Sequence, residues 1–192
     1  MNKYKKTVNF LFETGSLRKI PRSHMQTLLT NDLSDNIASH SFRVSIIALF
    51  LAKMEKANTE KVLTMALFHD LSESRSGDQN WVHKKYVKVY EDEIISDQIK
   101  SLPYSIYLGK IINEYVQRKT KESQIAKDAD LLDQILLLKE YSLQGNKEAD
   151  NWIKGKEQLK RLVTKSAKKL ADEIFNQNPH EWWTNLWTSE RR

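Results

Sequence analysis

An adjacent imidazole and carboxylate, His69-Asp70, close the apolar run Val62, Leu63, Met65, Ala66, Leu67, Phe68. The run predicts a buried helix with two polar groups at its inner end, which is unfavourable unless something pairs with them. Neutral imidazole and carboxylate together suit a divalent cation such as Zn, Mn, Fe or Co. One dipeptide supplies too few ligands, so distant side chains must converge on it. His40 lies at the front of a second apolar helix, in Ile37-Ala38-Ser39-His40-Ser41-Phe42-Arg43-Val44. A third helical stretch carries Asp128, Asp130 and Asp133. A lone histidine on an apolar stripe is more often a hydrogen-bonded core residue, and the residues alone do not choose among the three acids.

Glu73 follows His69 by four residues and Asp70 by three. On a continuous helix these spacings set Glu73 on the ligand side, one turn along, where it can orient a water. The bland alternative is a surface glutamate at a helix end. Gly77 suits a tight turn that returns Asp78 towards the same place. His83 is the one other histidine between His69 and Asp130.

The order His40, His69-Asp70, Asp130, each on its own helix, resembles the HD-domain metal-dependent phosphohydrolases. With Glu73, Gly77-Asp78 and Lys127-Asp128-Ala129-Asp130, the resemblance narrows to the branch of 5'-deoxynucleotidases and their small relatives, over roughly residues 5 to 150. It implies an all-α bundle with His40, His69, Asp70 and Asp130 as metal ligands. Asp130 is preferred through its match to the family's Ala-Asp pair, with Asp133 supporting the ligands. The resemblance also implies one divalent ion (Mn, Co, Fe, Mg, Zn or Ni), Glu73 and Asp78 as catalytic groups, and a homodimer. Two-metal members use more histidines in this region than His83 supplies. An arginine near position 22 faces the nucleotide in the family, usually beside a tryptophan. Here Arg22 is followed by His24 and Met25, and an exposed surface arginine is the equal alternative. Lys84 or Lys85 is a candidate phosphate contact.

The implied reaction is hydrolysis of nucleoside 5'-monophosphates, deoxynucleotides favoured, to nucleoside and phosphate. Triphosphates or alarmones as substrate, and a non-catalytic nucleotide-binding regulator that keeps the metal site, are the alternatives. Alarmone hydrolases carry His-Asp-x-x-Glu-Asp, whereas Ser74 stands last here.

The elements that must position these groups read as helices. Five Gly and 3 Pro in 192 residues, with abundant Leu, Ile, Lys and Glu, favour helix over strand. Helices are expected over 3–14 (Val8, Leu11 and Phe12 on one face), 37–56 (His40, Val44, Ile47, Leu51 and Met54 on one stripe), from an N-cap at Thr59 through Glu73, over 104–118 and over 121–144. Asp35 or Asn36 is the expected cap of the second. Gly145-Asn146 stops the fifth, and a further helix follows through Trp152 to Phe175. The length suits one domain, 1–192, with a metal-binding core at about 36–146 and a C-terminal helix and Trp-rich tail at 147–192. The tail, Pro179 to Trp187, is expected to pack on its own domain.

Cysteine is absent, which excludes disulfides and a thiol nucleophile. No cleavable leader pattern follows the basic first residues, and the longest apolar run, Ile46 to Ala52, is far shorter than a membrane span. A cytoplasmic protein is expected. The net charge of +6 raises nucleic-acid binding, but the 31 basic and 25 acidic residues are interleaved rather than segregated. A solvated basic surface that attracts small anions is the better reading.

Overall fold

In the computed structural model, residues 2–184 and 186 are described, and among them helices occur without any strand. The helices are α1 (Lys3–Gly15), α2 (Met25–Leu28), α3 (Ile37–Met54), α4 (Thr59–Phe68), α5 (Glu73–Ser76), α6 (Trp81–Tyr86), α7 (Glu91–Ile99), α8 (Ser105–Gln117), α9 (Lys121–Leu143), α10 (Lys147–Gly155), α11 (Glu157–Arg161), α12 (Lys165–Asn176) and α13 (Glu181–Thr184). An isolated antiparallel bridge joins Pro21 to Asn36.

Helix α9 is the axis about which the others assemble. Thr120 opens it with a reciprocal cap, its Oγ1 accepting from the Ser123 N–H while Ser123 Oγ accepts from the Thr120 N–H. Ile125, Ala126, Ala129, Leu132, Ile135 and Leu138 are buried all round the helix, because α3, α4, α8, α10, α11 and α12 surround it. Each large side chain so buried contributes ~1.5–3 kcal/mol. Ala48, Ala52, Ala66, Ala129, Ala167 and Ala171 share this core, and small side chains there let helix axes approach closely. Tyr115 of α8 and Met65 of α4 fill the spaces between.

Helix α3 starts at Asn36, whose Oδ1 accepts from the Ser39 N–H. Asp35, the other expected cap, accepts instead from His24 Nε2 at 2.6 Å and lies within 3.4 Å of the Tyr141 hydroxyl. By length and composition α3 is apolar enough to cross a membrane, but it packs on α4 and α9 through Val44, Ala48, Leu51 and Ala52. The buried side of α3 ends at Ala52. Met54, expected to continue it, faces outward with Phe42, Ile46 and Phe50.

Other boundaries also differ from expectation. Asn58, not Thr59, caps α4, accepting from the Lys61 N–H. The helix does not run on to Glu73: it stops at Phe68, and 69–72 form tight turns, with Leu71 N–H bonded to the Phe68 carbonyl and Glu73 N–H to that of Asp70. Residues 147–175 form three helices rather than one, because Lys156 adopts φ +54° and Thr164 starts a new helix by capping Ala167. On α1 the face Val8, Leu11, Phe12 is exposed, and Phe10 packs on Phe68 instead. In the tail Trp182 is 77% exposed, against the expected packing, although it borders a cavity with Leu136, Lys139 and Ile174. Trp187 and Asn185 lie outside the described residues.

Leu132 is fully enclosed at the centre of α9, so Leu132→Ala should lower stability by about 2–5 kcal/mol. A fall in the urea midpoint at unchanged denaturant slope checks this, and a midpoint like that of the parent chain would contradict the assigned core.

Candidate metal centre

Two imidazoles meet where α3, the end of α4 and α9 come together. His40 stands in the first turn of α3 and His69 caps the C-terminus of α4. Their Nε2 atoms face each other at 3.1 Å. The other ring nitrogen of each is already committed. His69 Nδ1 donates to the Ala66 carbonyl at 2.7 Å, which fixes its proton on Nδ1 because a carbonyl only accepts. His40 Nδ1 donates to Asp133 Oδ2 at 2.6 Å, and Asp133 also accepts from Arg43, whose Nη1 reaches Glu140 at 2.7 Å. This carboxylate–imidazole chain is the support that orients a metal-binding histidine.

Two carboxylates complete the cluster. Asp70 Oδ2 lies 3.1 Å from His69 Nε2 and 3.4 Å from His40 Nε2. Asp130 Oδ1 lies 3.3 Å from His40 Nε2. Ligand atoms of His40, His69 and Asp130 all fall within 4.8 Å of one another. Burial opposes charge on these groups, yet their mutual contacts overcome it. His69 and His40 hold the Asp70 carboxyl well below the usual range, and Lys127 and His40 do the same for Asp130. Burial and Arg22 oppose protonation of His40, but Asp130, Asp133 and Asp70 raise its pKa well above the ordinary imidazole value. The pocket therefore draws positive charge to its centre. Two nitrogens and two oxygens with supported imidazoles fit a divalent cation of the Mn–Zn series or Mg.

The remaining acids adjoin this cluster. Glu73 is in the cleft although α4 ends before it, because the 69–72 turns replace the expected helical path. Its Oε2 is buried without a hydrogen-bond partner among the described residues. Burial, with Asp70 and Asp78 nearby, pushes its carboxyl up to about 10. The segment is braced from outside: Gln98 Nε2 donates to the Leu71 carbonyl, to Ser74 Oγ and to Glu13, and Arg75 forms a two-pronged pair with Glu13. Ser74 is thus engaged by α7 and α1. Gly77 takes φ +71°, a conformation that favours glycine, and Asp78 beyond it accepts from the Ser23 N–H at 2.7 Å.

Arg22 is not an exposed surface arginine. Its Nη1 donates to Asp70 at 3.2 Å, and its Nε stands 3.7 Å from Asp78 without a hydrogen bond. The Pro21–Asn36 bridge and the bond from Arg22 N–H to the Asp35 carbonyl fix its backbone. His83 accepts from the Asn80 N–H through Nδ1 in a helix cap and is not among the residues lining the cleft. Lys84 lines the cleft, whereas Lys85 lies over the Tyr86 ring. Asp128, the neighbour that sequence spacing left open, faces elsewhere: it accepts from Val163 N–H, Thr164 N–H and the Thr164 hydroxyl.

Arg22, His40, His69, Asp70, Glu73, Asp78 and Asp130 meet at or beside one cleft of ≈170 Å³, which Lys84 also lines and Lys85 does not. Residues that sequence reasoning gave no role also line it. Lys127 pairs with Asp130 at 2.5 Å, and Gln134, Trp81, Trp152 and Arg161 form the outer wall. Lys127 and Gln134 flank Asp130 at i−3 and i+4, a spacing that would have revealed them. Trp152 lies on α10 and Arg161 ends α11, two short helices divided by the left-handed Lys156, for which no motif speaks.

Asp130→Ala should abolish tight cation binding while Asp128→Ala retains it and loses about 2–4 kcal/mol of stability through three unmet donors. Asp133→Asn should weaken cation affinity by roughly 10–100-fold. Metal content after dialysis, read beside urea unfolding, separates the three. Equal metal loss in the Asp128 and Asp130 variants would contradict the assignment.

The sequence pattern of the HD domain matches residues 14–177. A Dictyostelium discoideum protein named 5'-deoxynucleotidase HDDC2 is 29% identical over 136 residues, 64% of this chain and 70% of that protein. The 5'-deoxynucleotidase of Erwinia tasmaniensis is 27% identical over 168 residues, 77% of this chain and 82% of its own. Among solved structures, a conserved hypothetical protein of Pyrococcus furiosus superposes with a TM-score of 0.75 at 26% identity, covering 88% of this chain and 99% of that one. A predicted metal-dependent phosphohydrolase of Magnetospirillum magnetotacticum shares the fold at TM-score 0.63 and 22% identity, each chain 91% covered. His40 on α3, His69-Asp70 at the end of α4 and Asp130 on α9 sit within the matched span, and the chain belongs to the HD domain family.

Proposed function

We propose that this chain is a cation-dependent phosphomonoesterase that cleaves nucleoside 5'-monophosphates, 2'-deoxynucleotides favoured, into nucleoside and phosphate. The observation that carries the reading is the cleft itself. Around His40, His69, Asp70 and Asp130 it gathers Glu73, whose Oε2 has no partner among the described residues, and the cations Arg22, Lys84 and Lys127, two of them paired with Asp70 and Asp130. A purely structural metal site needs neither a buried free carboxylate nor a cationic mouth. The relatives named 5'-deoxynucleotidase support the substrate class.

In this reading His40, His69, Asp70 and Asp130 hold one divalent ion. Bound there, the ion would supply Lewis acidity, meaning a water of lowered pKa and charge to offset the phosphate, and beside it the Glu73 carboxyl would be favoured as carboxylate. Glu73 then orients the attacking water and accepts its proton. Arg22 turns its fork and its unused Nε–H to the phosphate oxygens, and Lys127 and Lys84 add charge at the same mouth. Asp78, fixed by Ser23, relays the proton taken up by Glu73 to the departing ribose oxygen, directly or by ordering the water that carries it. Attack in line on phosphorus breaks the bond to the ribose oxygen, so positioning and charge carry the reaction and no covalent enzyme adduct forms.

The division into one domain, with its metal core at about 36–146, is part of this reading. So is the homodimer that the family resemblance implies, for which the mass in solution is the check.

Glu73→Gln should keep the cation and slow turnover by roughly 10²–10⁴-fold, whereas His69→Ala should lose both. Cation content and phosphate release, measured on the same preparations, provide the test. A fully active Glu73→Gln enzyme would contradict the role given to this carboxylate.

A further inference from the structure

Beyond the ligand cluster the cleft continues outward. A second cavity of ≈450 Å³ shares Trp81, Gln134, Trp152 and Arg161 with it and extends along α10 and α11. The four shared residues therefore line one passage that leads away from the phosphate end. Gln134 lies four residues beyond Asp130 on α9, on the same helix face and ~6 Å further along the axis, so it stands next in line after the metal ligands.

The chemistry of this wall is unlike that of the inner cleft. Trp81 is 68% exposed, a large apolar ring left at the mouth of a charged site. The Arg161 guanidinium lies 5.8 Å from the centre of that ring. Trp152 is a fixed platform: its indole N–H donates to Glu148 at 2.9 Å and its ring packs on the Leu138–Tyr141 cluster. Asp128 holds the turn at 163–164 and with it the end of α11 that carries Arg161. Flat indole faces, a guanidinium plane and a primary amide with both donors and an acceptor are the groups that stack a heteroaromatic ring and meet its polar edge.

We propose that Trp81, Trp152, Gln134 and Arg161 form the nucleobase subsite of this cleft. The base stacks on the indole wall and the Gln134 amide meets its edge. This rests on the nucleotide reading given above. Stacking is tolerant of base identity and an amide offers either polarity, so the subsite accepts purines and pyrimidines and sets KM through the base rather than through one hydrogen-bond code.

Calorimetric titration of the full chain with deoxyadenosine and with thymidine, which carry no phosphate, tests the subsite apart from catalysis. Trp81→Ala and Trp152→Leu should each weaken nucleoside binding about tenfold or more. Each should also raise the KM for deoxyadenosine 5'-monophosphate relative to that for deoxyribose 5-phosphate by a similar factor. Trp81 is exposed, so its variant folds even if the Trp152 variant does not. Nucleosides that fail to bind the parent chain, or that bind the Trp81 variant as tightly as the parent, would overturn the subsite. Nucleoside binding without phosphate release from any monophosphate would support the subsite and sink the hydrolase reading instead.

Discussion

Two buried imidazole nitrogens face each other at 3.1 Å, and neither ring can turn away. His69 is held by the Ala66 carbonyl and His40 by Asp133, which is itself clamped by Arg43. With Asp70 and Asp130 alongside, the cluster concentrates lone pairs and negative charge where three helices meet. Such a group is unfavourable in a helical core unless positive charge occupies its centre. The rest of the fold can be read as the apparatus that keeps it in place. Helix α9 contributes Asp130 and Asp133 from its most enclosed stretch, and α3 is long enough to bury His40 at one end while anchoring in the core at the other.

The same constraint explains why regular structure stops where it does. An uninterrupted α4 would have carried Asp70 and Glu73 along a single stripe. The tight turns at 69–72 instead break the helix while leaving both carboxylates in the cleft, and the Gly77 turn brings Asp78 after them. Short irregular segments are costly to order on their own. Here Gln98, Glu13 and Arg75 supply external bonds in place of the missing helical ones, so α1 and α7 matter to the site without touching it.

Much of this was legible in the sequence, for stated reasons. The His-Asp pair after an apolar run, a histidine on a second run and an acid on a third predicted three converging helices, and apolar periodicity located α3, α8 and α9 to within a few residues. Which acid of Asp128, Asp130 and Asp133 joins the cluster was not legible from spacing, because all three sit on one largely buried helix. Their partners decide it: Asp128 faces the 163–164 turn, Asp133 faces His40 from behind, and Asp130 faces the cleft. The break after Phe68 was hidden since helical and turn geometry both keep Glu73 near Asp70. Arg22 looked ambiguous because its partners lie 48 and 56 residues away, a relation that no local pattern encodes. The outer tryptophan and arginine wall was equally hidden, since Trp81, Trp152 and Arg161 come from three separate short helices.

Phosphate release by metal-stripped protein, resupplied separately with Mn, Co, Mg and Zn and offered nucleoside mono- and triphosphates, tests the central claim most directly. The account predicts no release without metal and release from 5'-monophosphates once a suitable ion is restored. Release that is undiminished in the stripped protein, or silence with every ion while a cation is demonstrably bound, would contradict it.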